Sequence, residues 1–143
     1  MPLYRDGKLF IENYFMDFWG PILGIGTSSL FVTVSSAAKG GHFATLSTQY
    51  LLAVLRCSDK ELFSWIKTLE HYGFIRHFFV ENTSRPNEEP SNRFVVRKSM
   101  PLLTQELVNT LPPLVKKRHD DFLKLNTSQN ARHGELWDDK GTL

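Results

Sequence analysis

Ser58-Asp59-Lys60-Glu61, followed by Leu62, Ile66 and Leu69 and closed by Tyr72-Gly73-Phe74-Ile75, decides the fold class. Ser58 and Glu61 have capping-box spacing, in which each side chain satisfies an unpaired amide at the start of a helix. Leu62, Ile66 and Leu69 then lie on one helical stripe with Trp65 beside it. Gly73 supplies the left-handed residue on which helices often end. Just upstream, Ser47 stands as an N-cap before Tyr50, Leu51, Val54 and Leu55, so a short helix precedes the turn Arg56-Cys57. Residues 47–73 therefore read as helix, tight turn, capped helix.

Before this unit, Phe10, Ile11, Tyr14, Phe15, Phe18, Trp19 and Ile22 recur at steps of three and four and predict a first helix. Gly24 and Gly26 punctuate the chain and Thr27 or Ser28 can cap. Leu30, Phe31, Val34 and Ala38 then predict a second helix that stops at Gly40-Gly41. The β-branched run Val32-Thr33-Val34 leaves a strand as the alternative there. Residues 42–46 read as a short lead-in. Residues 18–38 carry no charge, but Gly20, Pro21, Gly24, Gly26 and six hydroxyl side chains break the run, so a membrane span is not expected.

After the unit, residues 74–80 and 93–97 are rich in aromatic and β-branched side chains and flank a polar stretch containing Pro86, Glu88, Glu89 and Pro90. They predict a two-stranded hairpin with a long tip. A short helix over 104–111 follows, and Pro112-Pro113 opens another through about residue 125, with Pro113 suited to a first turn. From Asn126 no apolar period is sustained, which predicts a mobile tail with Leu136-Trp137 as its one apolar point. The fold class expected is mainly α with a small β-hairpin: a winged helix-turn-helix domain over 1–98, a C-terminal helical extension over 99–125 and a flexible tail over 126–143.

The bulk numbers fit that size: 143 residues with 41% hydrophobic and 22% charged side chains are enough for a core without a disulfide or metal. Cys57 is the only cysteine, and no basic, apolar and small-residue leader pattern opens the chain, so a cytoplasmic protein is expected. The net charge is +2, and the excess is local: residues 82–98 hold Arg85, Arg93, Arg97 and Lys98 against Glu88 and Glu89. Nucleic-acid contact is permitted by this balance but not required.

Phe10-Ile11-Glu12-Asn13-Tyr14-Phe15, Leu46-Ser47-Thr48-Gln49-Tyr50-Leu51 and Thr68-Leu69-Glu70-His71-Tyr72-Gly73-Phe74-Ile75 resemble the winged-helix domains of bacterial, plasmid and phage replication initiators and DnaD-type primosome proteins. The resemblance covers about residues 8–98. Its most specific part, Leu69-Glu70-x-x-Gly73-Phe74-Ile75, is similar to the family's join between recognition helix and wing, which many bacterial transcription regulators share. The resemblance implies that Ser58, Asp59, Lys60, Glu61, Ser64, Lys67 and Thr68 are exposed recognition-helix positions and that residues 76–97 form the wing.

The DNA-contacting set expected from this reading is Thr48, Gln49, Ser58, Lys60, Ser64, Lys67 and Thr68 on the helices, with Arg76, Arg85, Arg93, Arg97 and Lys98 on the wing. The sequence departs from the commonest base-reading pattern. No arginine lies between Ser58 and Tyr72, and Asp59, Glu61 and Glu70 outnumber Lys60 and Lys67. Consecutive Phe78-Phe79 must point to opposite faces of a strand, which leaves one of them available for packing or dimerisation.

Catalytic and metal signals are weak. Gly24-Ile25-Gly26 lacks the third glycine and preceding strand of a dinucleotide fingerprint, and no Lys-Ser or Lys-Thr follows it. The five histidines and Cys57 show no paired ligand spacing, so neither cofactor nor metal is expected. Cys57 beside a helix N-terminus is the one arrangement with a mechanism, a lowered thiol pKa. The expected function is therefore non-enzymatic binding of double-stranded DNA in replication initiation or its control, on a chromosome, plasmid, phage or mobile element. The partners expected are the duplex and either a second copy of the chain or replication and mobile-element proteins. The alternatives are a winged-helix adaptor within a nucleoprotein assembly and a transcription regulator.

Overall fold

Phe74, the residue after Gly73, is the centre of the core. Its ring is fully buried and meets Phe15, Trp19 and Phe31 at centroid distances of 5.5, 4.8 and 5.4 Å, all edge to face. The chain is described here from a computed structural model over residues 7–81 and 90–137, with side chains through residue 126. Residues up to Leu102 form one compact unit and those from Leu103 a second.

In the first unit, a π-helical segment, Phe15–Trp19, runs into α1, Gly20–Ala37. Gly24 has φ 84° and ψ 169°, a region open essentially to glycine alone. It divides α1 into the two helices expected from the spacing, without an intervening loop. Thr27 and Ser28 accordingly lie inside the second helix and are buried rather than capping it. The strand alternative for Val32-Thr33-Val34 is resolved as helix. Residues Phe15–Ala37 are long and apolar enough to cross a membrane by length and composition, yet Phe15, Phe18, Trp19, Leu30, Phe31 and Val34 are spent on the core of this unit. Trp19 also donates its indole N–H to the carbonyl of Pro101 at 2.7 Å.

Residues 42–46 are the main correction to the sequence reading. Phe43–Leu46 is a strand, β1, not a lead-in. It pairs antiparallel with β3, Ser91–Val96, whose other edge pairs with β2, Ile75–Val80. The sheet thus has three strands, in the order β1-β3-β2, instead of two. A four-residue strand containing Ala44 and Thr45 has little intrinsic signal; pairing with β3 and burial of Ala44 define it.

Between β1 and β2 lie α2, Thr48–Leu55, and α3, Asp59–His71. Both predicted caps form. Ser47 Oγ accepts from the Tyr50 amide at 3.1 Å, and Ser58 and Glu61 complete a reciprocal capping box. Arg56 at φ 53° ends α2 and Gly73 at φ 79° leads out of α3. The chain is mainly helical with a small antiparallel sheet.

The second unit contains α4, Gln105–Asn109, capped by Thr104, and α5, Pro113–Trp137. The backbone stays helical to Trp137, where a mobile tail from Asn126 was expected. Extending an existing helix needs no new nucleus, and Gln129, Ala131, Arg132, Glu135 and Leu136 are all good helix formers, so a missing apolar period does not end it. His119 on α5 is buried, at 1% exposure. Burial lowers its pKa below the ordinary 6.5, and Asp120 opposes the shift.

Candidate nucleic-acid interface

The exposed face of α3 is set by what the opposite face buries. Leu62, Ile66 and Leu69 are fully buried, and Trp65 packs against Gly26 of α1, whose missing β-carbon leaves the space for the indole. Helical geometry then turns Lys60, Ser64 and Lys67 outward along one line, with Phe63 half-buried beside them. Together with Asp59 they line a shallow open depression of about 490 Å³.

Two of the three carboxylates on α3 are held by partners within the fold. Glu61 Oε1 accepts from both the Ser58 amide and the Ser58 hydroxyl at 3.1 Å. Glu70 Oε2 accepts from the His77 amide at 3.3 Å, which draws it toward the start of β2. These bonds fix where the two carboxylates point without removing their charge, so α3 stays slightly acidic around Lys60 and Lys67. Asp59 is the carboxylate that shares their depression.

A buried polar network joins the sheet to the start of α2. Asn92 is fully buried; its amide nitrogen donates to the Leu46 carbonyl at 3.1 Å and the Thr48 hydroxyl at 2.9 Å. Its amide oxygen faces His77 Nε2 at 2.8 Å. Because that oxygen can only accept, Nε2 carries the hydrogen. β1, β2, β3 and α2 are thus tied at one side chain.

The sequence-expected DNA set divides into three groups. Lys60, Ser64 and Lys67 share the exposed line on α3, and Gln49 is exposed in the first turn of α2. Thr48, Ser58 and Thr68 use their hydroxyls internally: Thr48 accepts from Asn92, Ser58 closes the capping box, and Thr68 donates to the Ser64 carbonyl at 3.0 Å. The hairpin arginines point elsewhere. Strand alternation sends His77 and Phe79 toward α3, where Phe63 lies 6.4 and 6.0 Å from their rings. Arg76 and Phe78 therefore project from the opposite face of β2, and Arg93, paired with Phe78, projects with them from β3. Arg97 and Lys98 line a separate cleft with Phe10, Glu12 and Gly40, in whose wall no α3 residue takes part. Arg85 lies outside the described residues. Among the described residues, Arg76 and Arg93 of the hairpin are not brought onto the α3 surface.

Phe10 and Phe43 are surface aromatics that the sequence reading did not expect. Phe10, read as part of the first helix's apolar stripe, lies ahead of the helix and is 87% exposed. Phe43 depended on recognising β1. Phe78 and Phe79 are both exposed, at 45% and 57%, where only one of the pair was expected outside.

A second open groove, of about 700 Å³, runs between α1 and α2. Met16, Pro21, Ile25, Val32, Val54 and Leu55 supply its apolar wall, which contains no charged side chain. Cys57, in the turn before α3, has its thiol pKa raised by burial and then by Glu61 and Asp59, the reverse of the lowering expected beside a helix N-terminus. Among the described residues no three His, Cys, Asp or Glu side chains gather as a metal site. No protein-family model, curated protein or solved structure matches the chain.

Proposed function

We propose that the chain is a winged helix-turn-helix protein that binds double-stranded DNA through α3, without enzymatic chemistry, in replication initiation or its control. The observation that carries this reading is the outward line Lys60, Ser64 and Lys67 on the exposed face of a capped helix. Two ammonium groups and a hydroxyl on a rigid, capped helix suit phosphate contact and polar base contact in a major groove. The order of elements supports the winged-helix assignment: α2, tight turn, α3, then the β2–β3 hairpin, with β1 completing the sheet. The replication role rests on the motif resemblance at residues 10–15, 46–51 and 68–75.

On this reading α3 supplies the anchoring contacts, and the wing arginines Arg76 and Arg93 contribute little to them, because they project from the far face of the sheet. Binding is then modest in affinity for one copy. A dimer would double the phosphate contacts and read a palindromic site. The test is fluorescence anisotropy on a random-sequence duplex, starting at about 50 mM salt, where phosphate-driven binding is strong. Saturable binding that weakens as salt rises supports the reading; no binding at low salt overturns it.

The adaptor reading draws on the α1–α2 groove, whose uncharged wall and 89%-exposed Ile25 suit the apolar face of a partner protein's helix. An adaptor is expected to lack salt-dependent duplex binding and to lose its assembly on Ile25→Asp.

A further inference from the structure

The outer face of the sheet carries a pattern that duplex binding by α3 does not use. Register places Phe43 and Thr45 of β1, Arg93 and Val95 of β3, and Arg76 and Phe78 of β2 on that face. Phe43 is 58% and Phe78 45% exposed, large values for phenylalanine in a strand. Each ring has a guanidinium over it: Arg93 lies 5.4 Å from the centre of Phe43, and Arg76 lies 5.6 Å from that of Phe78. The three strands contain no Asp or Glu.

We propose that this face binds single-stranded nucleic acid, with unpaired bases stacking on Phe43 and Phe78 and the backbone phosphates meeting Arg76 and Arg93. Charge and ring chemistry select this occupant. A face with cations and no carboxylate attracts a polyanion. Exposed aromatic faces add affinity only for a polyanion that offers π surfaces, which a paired duplex keeps inside its stack. Adjacent strands lie about 4.8 Å apart and each residue adds about 3.4 Å along a strand; Phe43 pairs with Val95 and Phe78 with Arg93, so the two rings stand diagonally about 12 Å apart, with Arg93 on the middle strand level with Phe78 and leaning over Phe43. A single strand crossing the sheet thus meets ring, cation and ring in turn. Each guanidinium lies against one face of its ring, and its planar outer surface can stack in turn. This site is independent of the α3 surface, because the sheet turns its other face, with His77 and Phe79, toward α3.

The experiment measures anisotropy of labelled mixed-sequence single-stranded DNA and RNA of equal length, with the full chain and the double variant Phe43→Leu with Phe78→Leu. Leucine keeps apolar volume and removes the π face, and thermal unfolding checks that the fold is retained. Affinity for the single strand should fall at least about thirtyfold, the lower end of what losing two stacking contacts costs. Phe78→Trp with Phe43 unchanged keeps both π faces and should bind the single strand at least as tightly as the parent. Lys60→Ala with Lys67→Ala should weaken duplex binding and leave single-strand affinity within about twofold, which separates failure of this inference from failure of the duplex reading. The DNA and RNA arms show which backbone is preferred. Absence of single-strand binding, or equal binding by the double leucine variant, overturns the proposal. So does a dimer that the same double variant dissociates, since the face would then be covered by a second copy.

Discussion

The indole of Trp65 on α3 lies directly against Gly26 of α1, in space that a β-carbon at position 26 would occupy. That contact fixes how α3 sits on the kinked helix and hence which residues α3 turns outward. Gly26→Ala should push the indole away and lower stability by about 1–3 kcal/mol, the usual cost of overpacking, less the small gain in helix propensity. A urea titration gives the value. Unchanged stability would show that Trp65 moves without resistance.

Gly24 gives a complementary test, because nothing lies within 4 Å of its missing side chain. Its cost is purely conformational: φ 84° and ψ 169° exclude side-chain-bearing residues. Gly24→Ala should destabilise by roughly 1–3 kcal/mol without altering the Trp65 environment reported by fluorescence. A neutral Gly24→Ala variant would mean that the kink straightens.

Much of this architecture is legible in the residues themselves. Ser47, Ser58 with Glu61, and Gly73 are local signals whose chemistry acts within a few residues, and each takes its expected place. β1 was not legible, because Phe43–Leu46 becomes a strand through pairing with β3, about 50 residues on, and not through its own propensity. The candidate site was half legible. Lys60, Ser64 and Lys67 follow from helical spacing. The direction of Arg76 and Arg93 depends on strand register, and one step along a strand reverses the face. The engagement of Glu70 with the His77 amide is a tertiary contact that no spacing rule supplies.

Asn92 tests the polar tie between the sheet and α2. Asn92→Ala leaves the Leu46 carbonyl, the Thr48 hydroxyl and His77 Nε2 without their buried partner. Stability should fall by about 2–3 kcal/mol. The amides of residues 45–48 should also exchange faster with solvent. A loss below about 0.5 kcal/mol would show that water replaces the amide.

Cys57 should behave as an unreactive thiol. With its pKa raised by burial and by the neighbouring Glu61 and Asp59, less thiolate is present at neutral pH than in a free cysteine. Alkylation by iodoacetamide at pH 7.5 should be slower than that of a free cysteine. Faster modification would contradict the electrostatics of the turn.

His119 makes stability depend on pH. Its folded-state pKa is below the unfolded value, so the unfolded chain binds the extra proton first. Stability contributed by the neutral ring is fully present above pH 6.5, declines as pH falls below 6.5, and levels off below the folded-state pKa. His119→Gln should flatten the fall in unfolding temperature between pH 7 and pH 5. A parent protein with no such fall would contradict the assignment.

Duplex binding by α3 is tested most directly by the salt dependence of affinity for a random-sequence duplex in the parent protein and in Lys60→Ala and Lys67→Ala. Each lysine that neutralises one phosphate should remove about 0.9 from the slope of log K against log salt, and Arg93→Ala should leave the slope unchanged. The opposite pattern, with the lysine variants matching the parent and Arg93→Ala reducing the slope, would move the duplex to the outer face of the sheet and contradict the assignment to α3.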